Sequence, residues 1–296
     1  MSDKPLILMT SPDWFDVSYV INPWMRPSAW RENPERLQRA SHAAHNALKT
    51  ALRDAGAAVR LIQGAPGLPD MVFPANAAVV LDRRALLGRF RPPERRGEEP
   101  RFAAAFEALL REAVVDQVSR LPAGCFQEGA GDCIWDAGRG HFWAGWGQRS
   151  AREAVPAIAE FFGRDVVALE LASPRFYHLD TCFCPLSGGE VLYYPPAFTP
   201  DALREIHRRV PAPQRIAAAD EDAARLCVNA VCLDRTLAMA APSPALRAEL
   251  QSRGYRVAGL DLSPFVLAGG AAFCMTLRLD QTAAPALIAD SMEISA

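Results

Sequence analysis

The stretch Asn33–Ile62, NPERLQRASHAAHNALKTALRDAGAAVRLI, decides the fold class. Asn33-Pro34 is a cap-then-proline helix start, the helix should run to about Ala55, and Gly56 is its stop. Val59 to Ile62 follows at once as a strand. A helix leading directly into a strand is the repeating element of an α/β chain. The same grammar returns downstream. Ser150 with Glu153 three residues later forms a capping box for a helix ending before Gly163, ahead of a strand at Val166 to Leu171. Ser243 opens a helix to Arg253, closed by Gly254 and followed by a strand at Tyr255 to Leu260. Two more helices are expected at about Pro100 to Ser119 and Pro200 to Arg209. Apolar runs at Leu6–Met9, Ala77–Leu81, Ala85–Phe90, Cys133–Asp136, Phe142–Trp146, Val191–Tyr194, Arg225–Leu233 and Phe273–Leu279 read as further strands. Five helix-plus-strand units emerge, spaced by roughly fifty residues. Five units in a ring would make one domain; an ordinary α/β sandwich has the same periodicity. The aromatic, proline-rich stretch Trp14 to Trp30 has no period and reads as a loop packed by its own side chains, and Arg89 to Pro100 as a loop within a domain.

Composition removes several classes of function. Half of the 296 residues are hydrophobic and 22% charged, so a core is assured. Thirty-two basic against 34 acidic residues leave a net charge of −2, which forecasts neither a nucleic-acid partner nor an anionic membrane surface. The most apolar segment, Phe265 to Leu277, is too short to span a bilayer and is broken by Gly269 and Gly270. The N-terminal run Leu6 to Met9 lacks the features of a signal peptide, and seven cysteines, an odd number, suit a reducing compartment, so a cytoplasmic location is expected. Lys4 and Lys49 are the only lysines, which disfavours Schiff-base chemistry. A Walker A loop is absent.

Chemistry concentrates in four segments. Gly269-Gly270-Ala271-Ala272-Phe273-Cys274 places a cysteine after a Gly-Gly turn at the expected start of a strand, where small residues let a ligand approach the sulfur; the bland alternative is a buried structural cysteine. In Phe176 to Pro185, strand alternation would put His178 and Asp180 on one face, an acid-base group beside a carboxylate. A rival reading makes His178, Cys182 and Cys184 metal ligands, although their spacing fits no closed zinc site. His42 and His45 read as a partly exposed helix face. Glu128-Gly129-Ala130-Gly131-Asp132-Cys133 supplies two carboxylates in a glycine-rich turn, and Pro69 to Ala77 carries Asp70 and Asn76 at the ends of an apolar run.

Taken in order, Tyr19 to Met25 (YVINPWM), Pro69 to Asn76, Glu94 to Pro100, Glu128 to Asp132, Phe176 to Pro185 and Gly269 to Cys274 resemble the amidinotransferase or pentein superfamily, and most closely its arginine dihydrolase branch. The same segments are similar to dimethylarginine dimethylaminohydrolases and arginine deiminases. The resemblance covers nearly the whole chain. It implies a five-unit α/β propeller with pseudo-fivefold symmetry, a single catalytic domain over residues 1–296, and a small-molecule substrate, L-arginine or a close guanidino compound. It requires no metal or organic cofactor, and it is compatible with a homo-oligomer.

By the same resemblance Cys274 matches the nucleophile, His178 the general acid and base, and Asp180 a carboxylate that binds guanidinium. Glu128 matches the acid that partners the histidine, with Asp132 as the alternative, because the turn is one residue longer than in deiminases. Arg95 and Arg149 match arginines near the substrate carboxylate, and Asn22 and Asp70 match pocket-lining positions. Asn76 stands where deiminases typically carry aspartate, as in the dihydrolase branch, which usually has threonine where this chain has Pro74. The implied activity is hydrolysis of arginine to ornithine, carbon dioxide and ammonia. Alternatives are a deiminase or methylarginine hydrolase that stops at citrulline, an amidinotransferase, and a catalytically idle arginine- or metal-binding protein.

Overall fold

A computed structural model describes residues 4–283. The outermost residues of the expected single domain, 1–3 and 284–296, lie outside the described residues. The chain opens with β1 (Leu6–Thr10), crosses through α1 (Pro27–Glu32) and α2 (Pro34–Asp54), and returns as β2 (Ala58–Ile62), parallel to β1. The expected helix start is present: Asn33 Oδ1 accepts the Arg36 backbone N–H at 3.2 Å. Ser41, Ala44, His45, Leu48 and Leu52 recur at helical spacing and form the buried face of α2.

Three more sheets follow one plan, in which an antiparallel pair leads through a helix to a third strand parallel to the second. They are β3 (Ala78–Leu81), β4 (Arg84–Leu87), α3 (Glu98–Arg111) and β5 (Gln117–Arg120); β6 (Cys133–Asp136), β7 (His141–Trp146), α4 (Ala154–Phe162) and β8 (Val166–Glu170); and β9 (Phe183–Pro185), β10 (Val191–Tyr193), α5 (Pro200–Arg209) and β11 (Arg215–Ala217). After a four-residue helix, α6 (Asp220–Ala223), the plan repeats as β12 (Val231–Leu233), β13 (Thr236–Ala240), α7 (Pro244–Ser252) and β14 (Arg256–Leu260). The last short helix, α8 (Ser263–Val266), precedes β15 (Leu277–Arg278), which pairs antiparallel with β1. The first sheet is therefore completed by both ends of the described chain, with Ile7 opposite Arg278 and Leu8 opposite Leu277.

These five three-stranded sheets match the five units read from the sequence. Their strands differ in burial. The antiparallel partners β3, β6 and β10 are buried throughout, whereas β2 and β14 expose their first and fourth residues. Val80, Trp135, Cys184, Val231 and Leu277, one from each sheet, line one small cavity, so the five inner strands converge on a common interior.

Several boundaries differ from expectation. The helix expected to Ser119 stops at Arg111, because Ala113 takes a left-handed φ of 54° and the chain turns back into β5. Alanine there gives no glycine-like stop signal. Arg225–Leu233 is strand only from Val231, since residues before it are consumed in turns that begin at Leu226, with φ 56°. Phe273–Leu279 shrinks to two paired residues because Met275 N–H turns back to the Ala271 carbonyl at 3.1 Å. The Ser150 capping box does not form: α4 starts four residues later, and the serine is drawn into a buried network described below. His45 is buried, with its pKa pushed down to about 4 by burial, so the His42 and His45 pair is a half-buried helix edge in which His42 lies 3.7 Å from Asp13. The stretch after Trp14 is irregular up to α1 and does pack on itself, Phe15 meeting Trp30 at 5.2 Å.

Ala113 is exposed, so relieving its left-handed strain is free of packing consequences. An L-residue there costs about 1–2 kcal/mol, and glycine gives back part of this through its freer unfolded chain. Ala113→Gly should stabilise the protein by about 0.5–1 kcal/mol and raise its melting temperature by about 1–3 °C. A lowered melting temperature would contradict the assignment.

Candidate active site

The site is built on turns held between the sheets. His178 has an extended backbone and leads into a single 3-10 turn, Leu179–Thr181. The strand alternation expected there is absent, because the Leu179 N–H leaves any ladder to donate to Asp132 Oδ1 at 2.9 Å. The Thr181 hydroxyl closes the turn by donating to the His178 carbonyl at 2.6 Å. His178 and Asp180 then serve different partners.

His178 Nε2 lies 2.8 Å from Glu128 Oε2 and 4.0 Å from Asp132 Oδ2. This answers which acid of the long glycine-rich turn meets the histidine. Glu128 touches the ring; Asp132 braces the turn that carries it. Asp132 Oδ2 also accepts the Ser150 hydroxyl at 2.6 Å, and Ser150 Oγ accepts the Glu128 N–H at 3.0 Å. Arg149 Nη1 donates to Glu128 Oε2 at 3.0 Å, and Arg91 N–H to Oε1 at 3.2 Å. Burial would raise the Glu128 pKa, but the Arg149 charge and the His178 bond outweigh it and hold the carboxylate down to about 2. Asp132 faces no arginine, and burial, only partly offset by the His178 charge, pushes it up to about 6.

Asp180 faces the cysteine. The Cys274 thiol donates to Asp180 Oδ2 at 3.1 Å, and the sulfur accepts from Asn229 Nδ2 at 3.0 Å. Burial pushes Asp180 up to about 7, and burial followed by the Asp180 charge raises the thiol well above its ordinary range. Asp180 Oδ1 is buried without a hydrogen-bond partner, as is Asp70 Oδ1. Each of these two buried aspartates thus has an oxygen that lacks a donor, and a buried acceptor without a donor is costly. Tyr19, from the irregular loop before α1, faces Asp70, and burial, then the Asp70 charge, pushes the phenol upward.

Both arginines expected near a substrate carboxylate have buried protein partners. Arg95 Nε and Nη2 grip Glu98 at 2.9 and 2.8 Å, Nη1 donates to Asn76 Oδ1 at 2.8 Å and Nη2 to the Asp70 carbonyl at 3.0 Å. Its guanidinium also lies over the Phe90 ring, 4.4 Å from the centroid. Arg149 lies over Tyr177 at 4.7 Å and donates from Nη2 to the Ile21 carbonyl at 3.1 Å.

Asn76 completes its amide by donating to the Glu128 carbonyl at 3.0 Å. Glycine makes this approach feasible: a Cβ on Gly131 would lie 2.2 Å from Asn76 Nδ2, and one on Gly88 2.4 Å from the Asn76 carbonyl oxygen. Asn22 is spent on the chain itself, its Nδ2 donating to the Ala268 carbonyl at 3.0 Å and its Oδ1 accepting the Trp24 N–H at 2.9 Å. It lies against Gly269, the first residue of the segment that carries Cys274.

The rival metal reading loses its geometry. Cys182 turns its thiol to the carbonyls of His178 and Leu179, and Cys184 to that of Ala230. Among the described residues no three histidine, cysteine or acidic side chains are arranged to hold an ion.

The sequence reading missed Glu98, Ser150 and Asn229. Glu98 carried a signal, since it follows Arg95 at helical i,i+3 spacing. Asn229 did too: an amide in the middle of an expected apolar strand is a polar group in search of partners. Ser150 was legible only as a helix cap.

A family model described as N,N dimethylarginine dimethylhydrolase, eukaryotic, matches residues 18–280. The chain is 42% identical over 285 residues to the bifunctional arginine dihydrolase/ornithine cyclodeaminase ArgZ of Synechocystis sp., covering 96% of this chain but 39% of that protein. It is 35% identical to the N(G),N(G)-dimethylarginine dimethylaminohydrolase of Mycobacterium tuberculosis, over 92% of this chain and 84% of that one. Among solved structures, the N-terminal domain of ArgZ, an arginine dihydrolase from the ornithine-ammonia cycle in cyanobacteria, was crystallised as a cysteine-to-serine variant bound to substrate. It superposes with a TM-score of 0.88 at 41% identity, over 95% of this chain and all of that domain.

The titration of Asp180 sets a measurable dependence of stability on pH. Its pKa is about 7 in the fold against an ordinary 3.8, so the fold holds this proton more tightly than the unfolded chain does. The associated stability is fully present below about pH 4 and is lost as pH rises towards 7. Asp180→Asn has nothing to ionise. Its melting temperature relative to the unaltered protein should therefore be higher at about pH 8 than at about pH 5; a difference that does not change with pH would show that Asp180 titrates as an ordinary carboxyl.

Proposed function

The chain belongs to the N,N-dimethylarginine dimethylhydrolase family, and on that premise we propose that it is a cysteine-dependent hydrolase of the guanidino group of L-arginine, giving ornithine, carbon dioxide and ammonia. One observation carries the reading: a buried thiol bonded to a buried carboxylate, Asp180, whose second oxygen has no donor, within the same interior as a histidine held by Glu128. Charge matching supports it. Arg95 is matched by Glu98 and Arg149 by Glu128, which leaves Asp180 without an arginine partner and Asp70 with only Arg95, 3.9 Å away and already paired. Guanidinium is planar, protonated at neutral pH and presents five donors, so it supplies the missing cation and the missing hydrogen bonds together.

In this mechanism Asp180 and Glu128 receive the guanidinium, and Asp70 and Asn22 line the pocket. Arg95 and Arg149 lie towards the substrate carboxylate, where Arg149 offers the N–H donors it does not spend on Glu128 and Ile21. The bound cation favours the Cys274 thiolate over the thiol. The sulfur attacks the guanidinium carbon, and His178 protonates the departing ammonia. With Nε2 held by Glu128, Nδ1 is the ring nitrogen left to exchange protons. A covalent thiouronium remains, and water deprotonated by His178 cleaves it, returning the sulfur and leaving a ureido group. A second cycle at the ureido carbon, with a second water, expels ornithine and leaves carbamate, which breaks down to carbon dioxide and the second ammonia. The sum is arginine plus two waters to ornithine, carbon dioxide and two ammonia. The residues of this chain suffice for each step without a cofactor.

Asn76 favours the second cycle. Its amide is neutral, gives one N–H to the Glu128 carbonyl and lies against Gly131, which also borders the His178 ring. A neutral ureido group is better tolerated beside an amide, which donates as well as accepts, than beside another carboxylate. The runner-up, a methylarginine hydrolase stopping at citrulline, draws on the family description and on the M. tuberculosis relative. The fold reading that accompanies the proposal is one catalytic domain in which the five sheets close as a pseudo-fivefold propeller, the convergent inner strands forming its axis.

Product analysis separates these readings. With L-arginine the protein should release ornithine and about two equivalents of ammonia without urea, and Cys274→Ser should release neither. Asn76→Asp should shift the product towards citrulline; ornithine release at the unaltered rate would remove the role given to Asn76. Citrulline as the sole product of the unaltered protein would establish the runner-up.

A further inference from the structure

Asn229 makes more contacts with the nucleophile segment than any role in packing requires. It is fully buried, at the end of the turn that opens at Leu226 and just before β12. Its Oδ1 accepts the Cys274 N–H at 3.1 Å, and its own carbonyl accepts the Phe273 N–H at 3.3 Å. Its Nδ2 donates to Cys274 Sγ at 3.0 Å and to the Asp180 carbonyl at 3.1 Å. The orientation of the amide is fixed, because a flip would set donors against the Cys274 N–H and an oxygen against the sulfur and a carbonyl.

We infer that Asn229 is a positioning residue of the reaction, one that locks Cys274 and Asp180 into a common frame and supplies a hydrogen bond to the Cys274 thiolate. The inference rests on Cys274 being the nucleophile. The Cys274 thiol donates to Asp180 Oδ2, and the sulfur already accepts from Nδ2. Once the S–H bond breaks and the proton passes to a base, the Nδ2–H contact remains and becomes charge-assisted, which strengthens it. No other residue type does all of this. Aspartate keeps an acceptor for the Cys274 N–H but turns an oxygen to the sulfur, and serine offers a single donor on a shorter stem. The titratable groups facing the sulfur are Asp180, from the turn after His178, and Tyr177, from the residue before it; Asp180 opposes the thiolate that Asn229 supports.

The test reads the thiolate directly. Alkylation of the full-length protein by iodoacetamide is followed across pH on the peptide that carries Cys274, beside steady-state kinetics with arginine, in Asn229→Asp and Asn229→Ser. Asn229→Asp should move the midpoint of the alkylation profile upward by about one unit or more, and Asn229→Ser by less. kcat should fall about tenfold or more in Asn229→Asp while KM changes by less than about threefold. Profiles that overlay the unaltered protein, in whichever variants keep its circular dichroism, would overturn the inference while leaving the proposed function intact. Release of ornithine from arginine by Cys274→Ser at the unaltered rate would overturn both.

Discussion

Everything at the centre of this protein is arranged around one fully buried carboxylate. Glu128 has no exposed surface, so each of its polar atoms has to be met from within the protein. Oε2 takes Arg149 and His178, Oε1 takes the Arg91 N–H, the backbone N–H goes to Ser150, and the carbonyl receives Asn76. These partners come from the β3 turn, the loop after β4, the segment after β7 and the turn before β9. One residue thereby registers three of the five sheets against each other. Removing one partner of such a buried ion pair is destabilising on the order of 3–5 kcal/mol, because the other charge is stranded.

The remaining acids are left in a different state, and the contrast is what gives the interior its chemistry. Glu128 is matched and its pKa held low; Asp180 is unmatched and pushed up. Two carboxyls in one interior thus have opposite protonation tendencies, set by whether an arginine faces them. Asp70 belongs with Asp180: burial raises it, and its nearest cation, Arg95 Nε, is 3.9 Å away and already committed to Glu98. An interior with filled arginines and unfilled aspartates is complementary to a cation rather than to an anion.

The turns that carry these side chains are short and rigidly held. Cys274 and His178 both lie outside the ladders, in turns whose N–H groups find side chains instead of strands. That is the local reason that period-two patterning fails there. Asn76, Gly129 and Gly131 show the other half of the design, since two turns approach so closely that a single methyl group would collide. Functional groups placed on such turns move less than groups on open loops, because each turn is tied to a sheet on either side.

The sequence by itself determined the α/β class, the five helix-plus-strand units and the segments that carry the candidate groups. Helix caps, stops and apolar runs are local signals, and the cap at Asn33, the stop at Gly56 and the strands around them were legible because three to twenty neighbouring residues generate them. The candidate residues were legible as segments. Their partnerships were not. Which acid meets His178, that Arg95 is spent on Glu98, that Ser150 abandons its helix, and that Asn229 holds Cys274 from 45 residues away were decided by the tertiary structure. A buried polar atom must be satisfied by whatever donor or acceptor packing brings to it, and that pairing is a property of the assembled interior, with no trace in sequence spacing.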